Sequence, residues 1–189
     1  MKKIIFVTGT RADYGKIKKI LIELQLIKKF KVYLFVTGMH NLRRFGSTLN
    51  QIKKDKIKNI YVFNNQLLNY QKNKNQGLDS ILAKTISGFG NFVKKISPDL
   101  IVVHGDRVET LACTIVGSLN LVKIAHIEGG EISGTIDELI RHSVSKLSHI
   151  HFVTNNNAKQ RLIQMGENKK NIYIIGSADI DIMSGDLPD

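Results

Sequence analysis

The feature that most constrains the fold is a set of seven short apolar runs along the chain. They comprise residues 4–7, 32–36, 60–63, 100–103, 124–127, 150–153 and 172–175. Each run is four or five residues long, rich in Ile and Val, and without regular polar alternation, which is typical of parallel strands covered on both faces. The segments between them carry apolar residues at helical spacing and are long enough for crossover helices. The alternation predicts an α/β fold: a doubly wound, Rossmann-like parallel sheet of about seven strands.

Length and composition favour one compact domain. The chain has 189 residues, of which 42% are hydrophobic and 23% charged, enough to enclose a single core. Only residues 64–76, dominated by Asn, Gln and Lys, interrupt the alternation of strand and helix patterns. We expect them to form a long, mobile surface loop.

Charge and cysteine content exclude several classes of protein. The net charge is +12, and 20 of the 28 Lys and Arg residues fall in the first hundred positions. The basic residues lack the interleaved aromatic side chains of a base-stacking surface, which argues against a nucleic-acid partner. A single cysteine, Cys113, excludes an intramolecular disulfide framework and a multi-cysteine zinc site. Because there is no signal-peptide pattern and no apolar run of about 18 residues, we expect a cytoplasmic protein that does not enter a membrane.

The loops that follow the strands hold the candidate site, because ligands of an open α/β sheet bind beyond the carboxyl ends of its strands. The first loop, residues 9–16 (GTRADYGK), brings Arg11 and Lys16 to the start of a helix. Backbone amides, the helix dipole and two cations predict a phosphate site. An ordinary strand-to-helix turn with solvated charges is the alternative. The loop matches neither the dinucleotide fingerprint nor the P-loop, so we expect no nicotinamide cofactor and no nucleoside triphosphate hydrolysis.

Six carboxylates fall within 33 residues of an otherwise basic chain. They are Asp106, Glu109, Glu128, Glu131, Asp137 and Glu138. Crowded carboxylates raise one another's pKa values, which can supply a base and an acid near neutral pH. Two glycines follow Glu128, and this favours close approach of a ligand to the backbone.

Part of this acidic cluster also has a structural explanation. Asp106 and Glu109 have the spacing of a capping box. Thr135 and Glu138 repeat that spacing, so we expect a structural role for Glu138. Acidic residues are in any case common at helix N-termini.

Histidines at the same strand ends support a second hypothesis. His104 precedes Asp106 by two positions, and His126 precedes Glu128 in the same way. Such pairs could hold a catalytic metal in a metal-dependent hydrolase. Because His-x-Asp spacing is common and no His-x-x-x-His occurs, we favour carboxylate chemistry and predict no metal site.

Four segments resemble the hydrolysing UDP-N-acetylglucosamine 2-epimerases of sialic-acid and related nonulosonic-acid synthesis. They are GTRADYGK at 9–16, TGMH at 37–40, HGDR at 104–107 and HIEGGEISGTIDELIRH at 126–142. The matches follow the family's order along essentially the whole chain. The residues after Glu128 are similar to those of the hydrolysing rather than the non-hydrolysing branch.

The resemblance implies the GT-B architecture, in which two Rossmann-like domains hold a sugar nucleotide between them. Residues 1–176 would be the N-terminal domain, and residues 177–189 would begin the connection to a second domain that is absent from this chain. The expected partners are a nucleotide-sugar substrate, that C-terminal domain and, since family members are commonly dimers, a second copy of the protein. The missing domain leaves an alternative, an inactive half that only binds nucleotide sugar.

The family reaction removes the C2 proton of UDP-N-acetylglucosamine, eliminates UDP to give a 2-acetamidoglucal, and adds water to give N-acetylmannosamine. It uses no metal or redox cofactor, and a UDP- or GDP-linked diacetamido sugar is a second possible substrate. The resemblance implies three catalytic carboxylates, Asp106, Glu128 and Asp137. It implies contacts with the nucleotide diphosphate for Arg11 and Arg107, and substrate or site-support roles for Lys16, His40, Glu131 and Arg141. Which carboxylate removes the proton stays open.

Overall fold

A computed structural model describes residues 1–42, 46, 48–66 and 77–177. In this part of the chain seven parallel strands form one sheet in the order β3-β2-β1-β4-β5-β6-β7. The strands are β1 (Lys2–Thr8), β2 (Phe30–Val36), β3 (Ile60–Val62), β4 (Leu100–His104), β5 (Lys123–Ile127), β6 (Ile150–Val153) and β7 (Ile172–Ile174). The helices are α1 (Arg11–Leu26), α2 (Leu49–Lys54), α3 (Leu78–Ile96), α4 (Val108–Leu119), α5 (Ile136–Lys146) and α6 (Asn156–Gln164). The predicted parallel sheet is confirmed, and its strand order reverses between β1 and β4.

Helices cover both faces of the sheet because neighbouring residues of each central strand point to opposite faces. On one face, Ile4 of β1 packs with Ile17 of α1. On the other, Ile5 packs with Phe89 of α3 and Cys113 of α4. Each fully buried Ile or Phe stabilises the fold by about 1.5 to 3 kcal/mol relative to an exposed one.

The two edge strands differ from the prediction of fully buried strands. β3 and β7 lie at opposite edges of the sheet. In β7, Tyr173 and Ile174 remain about half exposed. An apolar run therefore predicts a strand correctly without revealing its position in the sheet.

The predicted surface loop at residues 64–76 is described only in part. Residues 67–76 lie outside the described residues. At its start the prediction is wrong, because Asn65 is fully buried, accepts a hydrogen bond from Gly38 N at 3.0 Å and donates to Thr85 Oγ1 at 2.9 Å.

The carboxyl-terminal end of the chain is likewise described only in part. Of the predicted interdomain connection, residues 178–189 lie outside the described residues. Within the described ranges, no helix is long and apolar enough to cross a membrane.

Candidate functional site

A cleft of about 340 Å³ opens at the carboxyl edge of the sheet, beside the point where the strand order reverses. Its lining consists of Thr10, Ala12, Asp13, Lys16, His104, Gly105, Asp106, Arg107, Glu128, Glu131 and Arg141. These residues come from the end of β4, from the loops after β1, β4 and β5, and from α1 and α5. Three predicted site residues, Arg11, His40 and Asp137, are not among those that line the cleft in the described structure.

The backbone amides at the start of α1 are bound by Asp13. Thr10 is the N-cap residue, and its side chain accepts a hydrogen bond from Asp13 N at 3.3 Å. The Asp13 carboxylate accepts in turn from Gly9 N at 2.9 Å and Thr10 N at 3.0 Å. The predicted phosphate site therefore cannot use these two amides while Asp13 holds them. Of its two predicted cations, Lys16 lines the cleft, whereas Arg11 is exposed outside it.

His40 lies behind this turn and is fully buried. Thr8 donates to Asp13 at 2.5 Å, so the Thr8 hydroxyl oxygen accepts from His40 Nε2 at 2.8 Å. The other ring nitrogen, Nδ1, then accepts from Thr48 Oγ1 at 2.7 Å. Burial lowers the pKa of His40 against the opposing charge of Asp13. In this geometry His40 supports the Asp13 turn and does not face the cleft.

Glu128 is oriented by two basic side chains. Its Oε2 lies 2.8 Å from Lys16 Nζ and 3.1 Å from His104 Nε2. Burial alone would raise the pKa of Glu128, but the contacts with His104 and Lys16 outweigh it and lower the pKa to about 2. The expectation that clustered carboxylates raise one another's pKa is therefore wrong at Glu128, whose closest ionisable neighbours are basic.

The backbone of Glu128 is also unusual. Its φ is +63°, in the left-handed region that residues with a Cβ seldom adopt. Such conformations cluster at functional sites, where the surrounding structure holds them.

The two glycines after Glu128 make room for neighbouring helices rather than for a ligand. A Cβ at Gly129 would lie 2.8 Å from Ser145 Oγ of α5. A Cβ at Gly130 would lie 2.5 Å from the backbone oxygen of Ala158 in α6. The close approach predicted here is thus a contact within the protein.

Substituting alanine at Gly130 and at Gly134 tests this packing with a matched pair. Both glycines have positive φ, +80° and +67°, but nothing lies within 4 Å of a Cβ at Gly134. We expect Gly134→Ala to cost about 1 kcal/mol for the left-handed backbone. Gly130→Ala should cost about 2 kcal/mol more because the backbone of α6 must shift. Urea unfolding measures both, and equal losses would contradict this packing.

Asp106 is paired with Arg141 inside the cleft. One amino group of Arg141 donates to Asp106 Oδ2, and the other donates to the backbone oxygen of Glu131 at 3.0 Å. The Glu131 side chain accepts hydrogen bonds from Thr154 Oγ1 and, at 3.0 Å, from Asn155 Nδ2. Arg141 therefore bridges the loops after β4 and β5, and Glu131 fastens the second loop to the start of α6.

The capping box predicted for Asp106 and Glu109 is wrong. Arg107 is the N-cap residue of α4, and no side chain caps that helix end. Glu109 is instead buried, with its Oε2 3.2 Å from Arg107 Nε. The helix begins one residue later than the spacing indicated, which turns Glu109 inward.

At the start of α5 the predicted capping box forms only in part. Thr135 is the N-cap residue, and its side chain accepts from Asp137 N. The Glu138 carboxylate accepts from Ser133 N at 2.8 Å and Gly134 N at 2.7 Å, which confirms its structural role. Asp137 is exposed and hydrogen-bonded to Thr135, so its catalytic role stays a prediction.

The geometry of His126 does not favour the metal hypothesis. Its Nε2 lies 2.8 Å from Gly105 O and therefore donates, while Nδ1 accepts from Ser145 Oγ at 3.0 Å. Burial lowers the pKa of His126 to about 3, although the Gly105 contact opposes the shift. Across the described ranges, no three His, Cys, Asp or Glu side chains form a group suited to a metal ion. A hydrolase built on the two histidine motifs is thus not favoured.

Several cleft residues were missed by sequence analysis. Thr10, Ala12 and Asp13 line the cleft, and the spacing of Thr10 and Asp13 was itself a capping-box signal. The spacing of His104 and Asp106 indicates a metal ligand, whereas His104 contacts Glu128 in the structure. No local pattern could indicate that Lys16 meets Glu128, since 112 positions separate them.

The lowered pKa of Glu128 predicts a pH-dependent contribution to stability. Its usual value is 4.5 and its folded value about 2, so the contribution is present above pH 4.5 and is lost as the pH falls towards 2. Between pH 6 and pH 3 the loss should be about 2 kcal/mol. Glu128→Gln cannot titrate, so the difference in unfolding free energy between the wild-type chain and this variant should shrink by that amount. A constant difference in urea unfolding over this range would contradict the ion pairing.

Known proteins match both the sequence and the fold. A family model described as UDP-N-acetylglucosamine 2-epimerase matches residues 22–188. The chain is 44% identical over 189 residues to a UDP-N-acetylglucosamine 2-epimerase of Neisseria meningitidis serogroup B, covering 100% of this chain and 48% of that protein. It is 38% identical over 181 residues to a hydrolysing UDP-N,N'-diacetylbacillosamine 2-epimerase of Legionella pneumophila, covering 96% of this chain and 47% of that protein.

Solved structures give the same result. The crystal structure of UDP-GlcNAc 2-epimerase from Neisseria meningitidis bound to UDP-GlcNAc has a TM-score of 0.81 at 26% identity, and the match covers 97% of this chain and 49% of that one. The chain thus spans about half the length of the curated relatives it matches. Because the family model covers most of its length, the chain belongs to the UDP-N-acetylglucosamine 2-epimerase family.

Proposed function

We propose that this chain carries catalytic groups of a hydrolysing sugar-nucleotide 2-epimerase, which converts UDP-N-acetylglucosamine, or a related UDP- or GDP-linked diacetamido sugar, to the free 2-epimeric amino sugar and a nucleoside diphosphate. One observation carries the proposal. A single cleft at the reversal of strand order combines the carboxylates Asp106 and Glu128 with the cations Lys16, Arg107 and Arg141.

The proposed reaction needs both kinds of group. A base takes the proton from C2, the C1–O bond breaks with its electron pair leaving on the diphosphate, and a C1=C2 double bond forms. The hydroxyl group of water then adds at C1. A proton adds to C2 on the face opposite to the one from which the first proton was removed. The C2–H is weakly acidic, so elimination requires a positioned base and cations that stabilise the charge on the departing diphosphate. None of these steps needs a redox cofactor.

We assign the proton transfers to Asp106 and Glu128. Glu128 is held ionised by Lys16 and His104, which makes it a weak base in the free protein. If the diphosphate of the substrate pairs with Lys16, Lys16 moves away from Glu128 and the pKa of Glu128 rises. Glu128 would then become a stronger base when the substrate binds. Asp137 is kept as a third proposed carboxylate, one helical turn before Arg141, and Asp137→Asn tests it.

The cations are assigned to the diphosphate. Arg107 and Lys16 line the same cleft as Asp106 and Glu128, and guanidinium groups suit phosphate oxygens. Arg141 and Glu131 hold the loops in place. Arg11 lies outside the cleft, so its contact with the diphosphate stays a prediction. His40 acts as support for the loop after β1.

The names of relatives favour a UDP-linked sugar. The Neisseria structure is described as bound to UDP-GlcNAc, and the Legionella relative is named as hydrolysing and as acting on UDP-N,N'-diacetylbacillosamine. A Campylobacter jejuni relative at 36% identity is named as a GDP/UDP-N,N'-diacetylbacillosamine 2-epimerase (hydrolyzing). We therefore propose UDP-N-acetylglucosamine first and the diacetamido sugars second.

The remaining partners follow from the length of the relatives. Because the chain corresponds to about half of each, we propose that a second GT-B domain closes the cleft from the other side. We further propose a homodimer and a cytoplasmic location. If the second domain is essential, the 189-residue chain alone would bind nucleotide sugar without turning it over.

A substrate panel tests this proposal. The full-length protein and the 189-residue chain are each incubated with UDP-N-acetylglucosamine, UDP-N,N'-diacetylbacillosamine and its GDP analogue, with and without a chelator. We expect the full-length protein to release a nucleoside diphosphate and a free amino sugar from at least one substrate, equally in both conditions. Formation of an epimeric sugar nucleotide without release would show a non-hydrolysing enzyme. Turnover abolished by the chelator would favour the metal hypothesis.

A further inference from the structure

Glu109 is a buried carboxylate that has no role in the reaction proposed above. It lies in the first turn of α4, and its side chain is only 1% exposed. Its Oε2 accepts from Arg107 Nε at 3.2 Å, and its Oε1 accepts from Asn65 Nδ2 and Gln66 Nε2, each at 3.3 Å. A buried carboxylate is costly unless it is paired and hydrogen-bonded, so these contacts fix the side chain firmly.

The Glu109 carboxylate lies among the ends of four strands. It follows β4, and Asn65 follows β3. A Cβ built at Gly9, after β1, would lie 3.6 Å from Glu109 Cδ, and one built at Gly38, after β2, would lie 2.9 Å from Oε1. The carboxylate is therefore buried beneath the loops at the carboxyl edge of the sheet, next to the strand-order reversal where ligands of this fold class bind.

Arg107 differs from the other two cations of the cleft. Lys16 is paired with Glu128, and Arg141 with Asp106. Arg107 uses Nε for Glu109, and within the described ranges its two amino groups have no protein acceptor. A guanidinium held through Nε presents those amino groups as a fixed fork, the geometry that binds phosphate oxygens bidentately.

We propose that Glu109 is a positioning residue that fixes the Arg107 guanidinium at the strand-order reversal, so that its amino groups bind the diphosphate of the substrate. The identity of that anion rests on the proposed function. Glu109 acts only through Arg107, since its burial keeps it from the substrate.

Glu109→Gln is the direct test. The variant keeps the shape of the side chain, and its amide oxygen can still accept from Asn65 and Gln66, but its amide nitrogen cannot accept from Arg107 Nε. Glu167→Gln is the matched control. Glu167 is a mostly buried carboxylate paired with Lys146 at 2.6 Å and His151 at 3.3 Å, at the opposite edge of the sheet.

Affinities for UDP and for uridine are measured on the full-length protein by calorimetry. We expect Glu109→Gln to weaken UDP about tenfold and to leave uridine unchanged. In the double variant, Glu109→Gln should cause no loss of UDP affinity beyond that of Arg107→Ala alone, because both substitutions remove the same interaction. Glu167→Gln should bind both ligands normally. Wild-type UDP affinity in Glu109→Gln, equal losses for UDP and uridine, or additive losses in the double variant would overturn the proposal.

Two further measurements test the positioning of Arg107 separately from the proposed function. If the wild-type protein binds no UDP, the proposed function fails, and ligand-free crystal structures of the wild type and Glu109→Gln still test the positioning. The Arg107 guanidinium should be ordered against Glu109 in the first and displaced in the second, and an unmoved Arg107 would overturn the inference. If Glu109→Gln does not fold, Glu109→Asp serves instead, because it keeps the charge but withdraws the carboxylate from Arg107 Nε, and it should lose UDP but not uridine affinity.

Discussion

Replacing Glu128 by glutamine in the full-length protein is expected to lower kcat for nucleoside diphosphate release about a thousandfold, within the range of general acid–base catalysis. The amide keeps the size of the side chain but cannot take a proton. It also loses the charge that now pairs with Lys16 at 2.8 Å. Freed from Glu128, Lys16 can still bind the diphosphate, so UDP affinity should be kept or increased.

Glu138→Gln is the control for this substitution. Glu138 lies ten residues further along the same segment and binds the backbone of Ser133 and Gly134 outside the cleft. Its replacement should change kcat less than tenfold. If Glu128→Gln retained a kcat within tenfold of the wild type, Glu128 would not be a proton-transfer group.

Asp106→Asn is expected to lower kcat about a hundredfold or more. The asparagine oxygen can still accept the hydrogen bond from Arg141, so the geometry of the cleft should survive while the carboxylate base is lost. Asp106→Ala should be worse, because Arg141 then loses its carboxylate partner and keeps only the Glu131 backbone oxygen. Steady-state kinetics on both variants, with UDP affinity measured in parallel, separate the two effects.

Asp99→Asn is the matched control for Asp106. Asp99 lies at the opposite edge of the sheet, where it pairs with Lys2 at 2.7 Å. Its replacement should leave kcat and KM unchanged. A raised KM with unchanged kcat in Asp106→Asn would assign Asp106 to binding alone and contradict its catalytic role.

Most of the fold could be predicted because its signal is local. A run of four or five Ile and Val residues is enough to indicate a buried parallel strand, and all seven runs form strands of one sheet. Position within the sheet is a tertiary property, so the exposure of Tyr173 in β7 could not be read from the run. The burial of Asn65 could not be predicted for a similar reason, because the polar residues around it in the sequence do not indicate its buried partner Thr85.

The candidate site could be predicted in part, because the carboxyl ends of parallel strands meet at one edge of the sheet. Asp106 and Glu128 follow adjacent strands and therefore share the cleft. The direction of the Glu128 pKa shift was not predictable, because it depends on Lys16, which is remote in sequence. Glu109 shows the limit of a spacing rule. Because α4 begins one residue later than the spacing indicates, Glu109 forms an ion pair with Arg107 instead of a capping box.

The proposed function requires the protein that contains this chain to remove the C2 proton of a UDP-sugar and to release the nucleotide. A proton NMR time course of UDP-N-acetylglucosamine with the full-length protein in deuterated water measures both events at once. We predict accumulation of UDP together with free N-acetylmannosamine that carries deuterium at C2. UDP-N-acetylmannosamine without free amino sugar, or N-acetylmannosamine that retains its C2 proton, would contradict the hydrolysing elimination proposed for the cleft.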